Sequence, residues 1–122
     1  MNASYRFTKY KDGRGAFAEI GIESVPSSHF SVRLPDSLAI YERVYGSAVY
    51  EGISQALRWH HDLEGSLATF TILRFVQLTV DTKEDAVRCA STTAAWMALG
   101  HSETELAYNF DGTWQVAMSR QD

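Results

Sequence analysis

Asp12-Gly13-Arg14-Gly15-Ala16-Phe17-Ala18-Glu19-Ile20-Gly21-Ile22-Glu23 is a turn feeding a strand. Asp12 and Gly13 supply adjacent positions that tolerate positive φ, and Gly15 adds a second permissive joint where the strand begins. Beyond it Ala16, Ala18, Ile20 and Ile22 fall on one face and Phe17, Glu19, Gly21 and Glu23 on the other, the period of a half-buried strand. With Tyr5 to Tyr10 as the preceding arm and Ala16 to Val25 as the following one, the stretch predicts a β-hairpin. A phosphate cradle does not fit Gly13-Arg14-Gly15, because such a site needs a helix N-terminus after the glycines and here a strand follows.

Pro26-Ser27-Ser28 makes the next turn, and Phe30, Val32 and Leu34 alternate with Ser31 and Arg33 as a third strand. Pro35-Asp36 breaks the sheet pattern, and after an apolar-rich stretch from Leu38 to Tyr45, Gly46-Ser47 reads as the cap of the main helix. That helix carries Val49, Gly52, Ile53, Ala56, Leu57 and His60 on one stripe, with Glu51, Ser54, Gln55 and Arg58 toward water. Gly52 costs about 1 kcal/mol against alanine inside a helix, and close approach to the sheet is its expected justification. Gly65 ends the segment.

Phe70 to Val80 predicts a long strand with Phe70, Ile72, Val76, Leu78 and Val80 on one face, interrupted at Arg74 by a bulge or by passage beyond the core's edge. Thr82 with Asp85 reads as a variant capping box, and Glu84 places negative charge where the helix dipole favours it. The second helix runs to about Leu99, stops at Gly100 and buries Val87, Ala90, Ala94, Met97 and Ala98. Glu103 to Met118 predicts a hairpin around Asp111-Gly112, with a three-residue loop aligning Tyr108 with Trp114 and Leu106 with Val116. Such a hairpin would extend or cover a sheet edge. The order strand, strand, strand, helix, strand, helix, hairpin predicts a single α+β domain over 1–122: a two-layer sandwich whose antiparallel-rich sheet is covered on one face by two helices.

Gly13-Arg14-Gly15 before a long strand resembles the opening of domain IV of elongation factor G, the ribosomal translocase. The likeness extends to the basic-aromatic pair Arg6-Phe7 and to Ala48-Val49-Tyr50-Glu51-Gly52-Ile53-Ser54-Gln55-Ala56-Leu57, close to the family's Ala-Val-x-x-Gly-Ile-x-x-Ala-Leu. Val80-Asp81-Thr82-Lys83-Glu84 and the small-residue helix after it are similar to the family's Val-Asp-Ser-Ser-Glu and its alanine-rich helix, so the resemblance covers most of Tyr5 to Leu99. It implies the ribosomal protein S5 domain 2-like fold, here as a stand-alone domain IV without the GTPase part. It also implies a non-enzymatic probe whose two tip loops touch RNA at the ribosomal decoding centre. The family's Gly-x-x-His in the second tip loop is absent from Val76-Gln77-Leu78-Thr79-Val80-Asp81, and Leu38-Ala39 stands where the family has a glycine pair. Weak ribosome binding without promotion of translocation is the expectation. The alternative is a redeployed protein-interaction module, self-associating or heterologous, with no role in translation; a small enzyme or metal-binding protein ranks after both.

A net charge of −4 and a pI near 5.5 argue against broad nucleic-acid binding, which relies on Lys and Arg neutralising phosphates. A local basic cluster remains in Arg6, Lys9, Lys11 and Arg14, the candidate RNA or partner contact. Tyr41 and Tyr45, four apart with Tyr50 and Trp59 nearby, are read first as core packing and second as an interaction surface. His60-His61-Asp62 invites a metal reading, but adjacent helical side chains point about 100° apart, so helix-end polar residues is the reading taken. Cys89, the single cysteine, has no neighbouring histidine fixed by sequence, and Ser27-Ser28-His29 lacks a nucleophile elbow. No Gly-x-x-x-x-Gly-Lys-Ser/Thr loop is present, so GTP binding is not expected. No catalytic, cofactor or metal residues are assigned. The lone cysteine, the absence of an apolar run long enough to span a membrane and the lack of signal-peptide features at the N-terminus predict a cytoplasmic protein.

Overall fold

A computed structural model describes residues 1–119. The first hairpin pairs β1 (Asn2–Lys11) with β2 (Arg14–Ser27) from Asn2 opposite Glu23 down to Lys11 opposite Arg14. Its two-residue turn has Asp12 at φ 53° and Gly13 at φ 79°, the paired positive angles that match the right-handed twist of the arms. Then come β3 (Ser31–Arg33), α1 (Ala39–Glu64), β4 (Leu67–Val76), α2 (Glu84–Ala98) and a terminal hairpin of β5 (Leu106–Phe110) and β6 (Trp114–Met118). The predicted order of elements and the two-layer α+β sandwich are both found. The sheet runs β1-β2-β4-β3, antiparallel except for the parallel β3–β4 pair that α1 joins.

Ala16, Ala18, Ile20 and Ile22 of β2 and Phe7 of β1 face the helices and are buried, as the alternation requires. The bulge foreseen at Arg74 falls one residue earlier. Gly21 pairs with Arg74 and Ile22 with Ile72, so Leu73 is the extra residue and the inward parity of β4 flips there. Phe75 is therefore buried in place of Val76, the strand ends at Val76, and Leu78 and Val80 lie beyond it at 47% and 81% exposure.

Helix α1 begins at Ala39, so Gly46-Ser47 lies inside it and does not cap it. The apolar periodicity continues through the glycine: Tyr41 and Tyr45 both stack on Phe75, with centroids 4.8 and 5.5 Å away, and these contacts outweigh the local propensity cost. The predicted stripe from Val49 to His60 is buried, and Gly65, at φ 70°, closes the helix with its N–H on His61 O. Gly52 makes its close approach to α2 and not to the sheet: a Cβ there would sit 2.6 Å from Arg88 O.

α2 is buried on almost every side because α1, the sheet and the terminal hairpin all pack on it. Its burial extends past the predicted stripe to Cys89, Thr92, Thr93 and Trp96, while Met97 stays half-exposed. Two buried hydroxyls find carbonyls: Thr92 Oγ1 donates to Gly52 O at 2.9 Å, and Ser24 Oγ donates to Ala98 O at 2.6 Å. The predicted capping box does not form. Thr82 Oγ1 is occupied by the loop before the helix, and Asp85 accepts from the N–H groups of Ala86 and Trp114, at 2.9 and 2.8 Å.

The terminal hairpin has the predicted three-residue loop, but Phe110 opposes Trp114 and Tyr108 opposes Val116, two residues from the expected alignment. It forms its own two-stranded sheet and does not extend the larger one. Tyr108 and Trp114 instead lie edge-on to Phe7, with centroids 5.4 and 5.6 Å away, so the hairpin covers the inner face of β1 beside α2. Among the described residues the outer edge of β1 has no strand partner.

Candidate functional site

Two loops meet at one end of the sheet. Phe17 N–H, three residues past the Arg14 end of the first hairpin, donates to Asp81 O at 3.0 Å. Thr82 Oγ1 donates to Phe17 O at 2.7 Å and accepts from Leu78 N–H at 2.8 Å, which fastens the 77–82 loop to β2. Gly15 leaves room for this loop, since a Cβ there would come within 2.9 Å of Asp81 Oδ2. The turn of the terminal hairpin joins them, and together they line a cleft of about 290 Å³ that includes Arg14, Asp81, Lys83, Glu84 and Phe110.

The register divides the predicted basic cluster between two faces. Lys9, Lys11 and Arg14 share the parity of Phe7 and Ala18, whereas Arg6, opposite Glu19, points to the uncovered side. There Arg6 Nε and Arg74 Nη2 clasp the Glu19 carboxylate at 2.9 and 3.1 Å. Lys9 Nζ lies 4.9 Å from the Tyr108 ring centroid, a cation–π contact that ties it to the hairpin. Lys11 and Arg14 remain exposed at the tip, alongside Asp12 and Glu84. Charged residues on an edge strand also discourage edge-to-edge pairing, a structural role open to Arg6, Lys9 and Lys11 alike.

Tyr41 and Tyr45 are half-buried on Phe75, and Tyr45 Oη donates to Thr82 O at 3.2 Å, so the pair braces the 77–82 loop. The exposed apolar groups next to them on α1 are Ile40 and Val44, at 70% and 60% exposure. Sequence reading misses these two because it places the start of the helix after them.

The remaining reactive side chains are placed as follows. Cys89 is buried and its thiol is pushed up to about 12 by burial and then by Asp85, so it is not a nucleophile near neutral pH. Burial likewise raises Tyr5 and Tyr108 above the ordinary phenol value. Ser27 Oγ and His29 Nδ1 are 3.2 Å apart but exposed, and His29 N–H donates back to the same hydroxyl, which describes a local turn. His60 is buried and His61 exposed, so the adjacent pair does not converge. Desolvation lowers His60 against the opposing pull of Glu64, holding the ring neutral at physiological pH.

Fold and tip define a class: a two-layer α+β domain presenting paired loops at one end of its sheet. No protein-family model and no curated protein matches the chain. A crystal structure of ttk003000868 from Thermus thermophilus is similar over 79% of this chain, with TM-score 0.63 and 18% identity. This chain spans 15% of that protein's length, and at such identity the likeness shows a shared fold alone.

Proposed function

We propose that the chain is a non-enzymatic binding domain of the elongation factor G domain IV type, with the ribosomal protein S5 domain 2-like fold, working in the cytoplasm and directed at the ribosome through its paired loops. The observation that carries this reading is the joining of the tip. Gly13-Arg14-Gly15 and Val80-Asp81-Thr82 resemble the translocase at separate places in the sequence, and they lie at one end of the sheet, where Phe17, on the strand leaving the glycines, is hydrogen-bonded to Thr82 and Asp81 at 2.7 and 3.0 Å. Lys11 and Arg14 are the groups able to meet phosphate, and Asp12 and Glu84 beside them keep the interaction weak.

Co-sedimentation with purified ribosomes tests the proposal. Binding at low salt is expected to fall several-fold as salt rises, and to be lost in Lys11→Glu/Arg14→Glu, whose side chains are exposed and carry no packing. Arg6→Glu, on the opposite face, is expected to leave binding unchanged. Absence of binding at low salt refutes the reading.

A second reading has its own support. Ile40 and Val44 lie one turn apart on α1 and are largely exposed, as is Val80, which fits a protein-interaction module with no translation role. Light scattering across concentration would then show self-association that Ile40→Ser/Val44→Ser abolishes.

A further inference from the structure

Far from the tip loops, at the C-terminal ends of both helices, three ligand-type side chains converge. His60 Nδ1 lies 2.9 Å from His101 Nε2, and Glu64 Oε2 lies 3.5 Å from the first and 3.4 Å from the second. The elements explain the convergence. His60 and Glu64 are one turn apart on α1 and so share a face. His101 follows the Gly100 stop of α2, with its N–H on Trp96 O at 3.2 Å, which swings its ring toward α1.

Both imidazoles are fixed in place. His60 Nε2 is 2.9 Å from Ser66 Oγ, a partner that leaves Nδ1 as the free lone pair when Nε2 carries the proton. The His101 ring lies on Trp96, with centroids 3.7 Å apart and planes within 14°. An ion held at about 2.0–2.1 Å in tetrahedral geometry separates its ligand atoms by roughly 3.3–3.4 Å. The triangle of 2.9, 3.4 and 3.5 Å is close to that face and needs only a slight parting of the imidazoles. A hydrogen bond between neutral histidines accounts for the shortest side. The Glu64 carboxylate, nearly equidistant from both nitrogens, supplies the negative charge that a bound cation favours.

We propose that His60, Glu64 and His101 form a binding site for a divalent transition-metal ion, with Zn²⁺ the best match to two imidazoles and one carboxylate. The site joins the end of α1 to the chain leaving α2, so the ion acts as a clip between the two helices. Its fourth position is left to water or a bound anion, and His60 and Glu64 both line a cleft of about 280 Å³ beside Ser66 and Leu67. The proposal is independent of any ribosomal role.

Untagged protein titrated with Zn²⁺ is expected to bind one equivalent, and with Co²⁺ to show the strong visible absorption of a tetrahedral ion. Saturating Zn²⁺ is expected to raise Tm by roughly 10 °C, as binding to the native state alone requires at about a hundredfold excess over Kd. Glu64→Gln and His101→Gln should each weaken Zn²⁺ binding at least tenfold. Glu64 is half exposed, so its substitution tests the site even if exchange at the more buried His101 impairs folding. The exposed histidines supply the control: His29→Ala/His61→Ala should bind as the wild type does. No stoichiometric Zn²⁺ binding, a weak octahedral Co²⁺ spectrum, or binding lost in the His29/His61 control but not in Glu64→Gln overturns the proposal.

Discussion

Replacing Gly52 with alanine lowers stability by about 2 kcal/mol, and replacing it with valine unfolds the domain at physiological temperature. Alanine improves helix propensity by about 1 kcal/mol, so the prediction runs against the usual direction for a glycine in a helix interior. The reason is the neighbour. An added Cβ would lie 2.6 Å from Arg88 O, 2.8 Å from Ser91 Cβ and 3.1 Å from Thr92 N, and two of those atoms are backbone that cannot rotate away. α2 cannot retreat either, because β1 and β2 support its other side. The helices must separate, stretching the 2.9 Å bond from Thr92 Oγ1 to Gly52 O and opening the seam between α1 and α2, for an overpacking cost of about 3 kcal/mol. Urea midpoints of wild type and Gly52→Ala check this, with a Tm fall of roughly 8 °C as a second readout. Equal or greater stability in the alanine variant would show that the two helices are not in contact at Gly52.

The same glycine marks where sequence reading succeeds and where it stops. Its cost inside a helix signals that something comes close, but periodicity does not say what, and the sheet was the wrong expectation. The order of strands and helices was legible because each element carries its own period and its own punctuation: Asp12-Gly13, Pro35-Asp36, Gly65, Gly100 and Asp111-Gly112 all fall at ends of elements. Gly46-Ser47 misled because a local propensity signal was set against Tyr41 and Tyr45, whose partner Phe75 is distant in sequence. The inward turn of Phe75 depends on a bulge whose position is decided by the pairing of β2 with β4, which neither strand encodes alone.

The tip was legible in kind, since the turn and the Val80-Asp81-Thr82 stretch both stand out in the sequence. The division of the basic cluster was legible in principle, because Arg6 differs in parity from Lys9 and Lys11. Proximity in sequence hides it. The histidine cluster was half visible. His60 and Glu64 are four apart on a predicted helix, but the adjacent His61 and Asp62 draw the eye, and His101 lies 41 residues from His60.

Trp96→Ala lowers stability by about 3–5 kcal/mol, the largest single-site loss expected from truncating this core, while Trp96→Phe costs about 1 kcal/mol or less. Trp96 is fully buried, edge-on to Trp59 with centroids 6.1 Å apart and face-on to His101. Alanine removes the whole ring from a site that α1, α2 and the chain at His101 enclose, and rigid helices collapse poorly around such a void. Phenylalanine keeps most of the apolar contact and an aromatic face for His101. It also removes a liability: Trp96 Nε1 is buried with no hydrogen-bond partner among the described residues, and an unsatisfied donor costs about 1–3 kcal/mol. That gain offsets much of the lost volume. Thermal melts should therefore place Trp96→Phe within a few degrees of the wild type and Trp96→Ala roughly 15 °C below it. Equal losses in the two variants would mean that the indole N–H has a partner and that its hydrogen bond, more than the ring's volume, holds this end of the domain together.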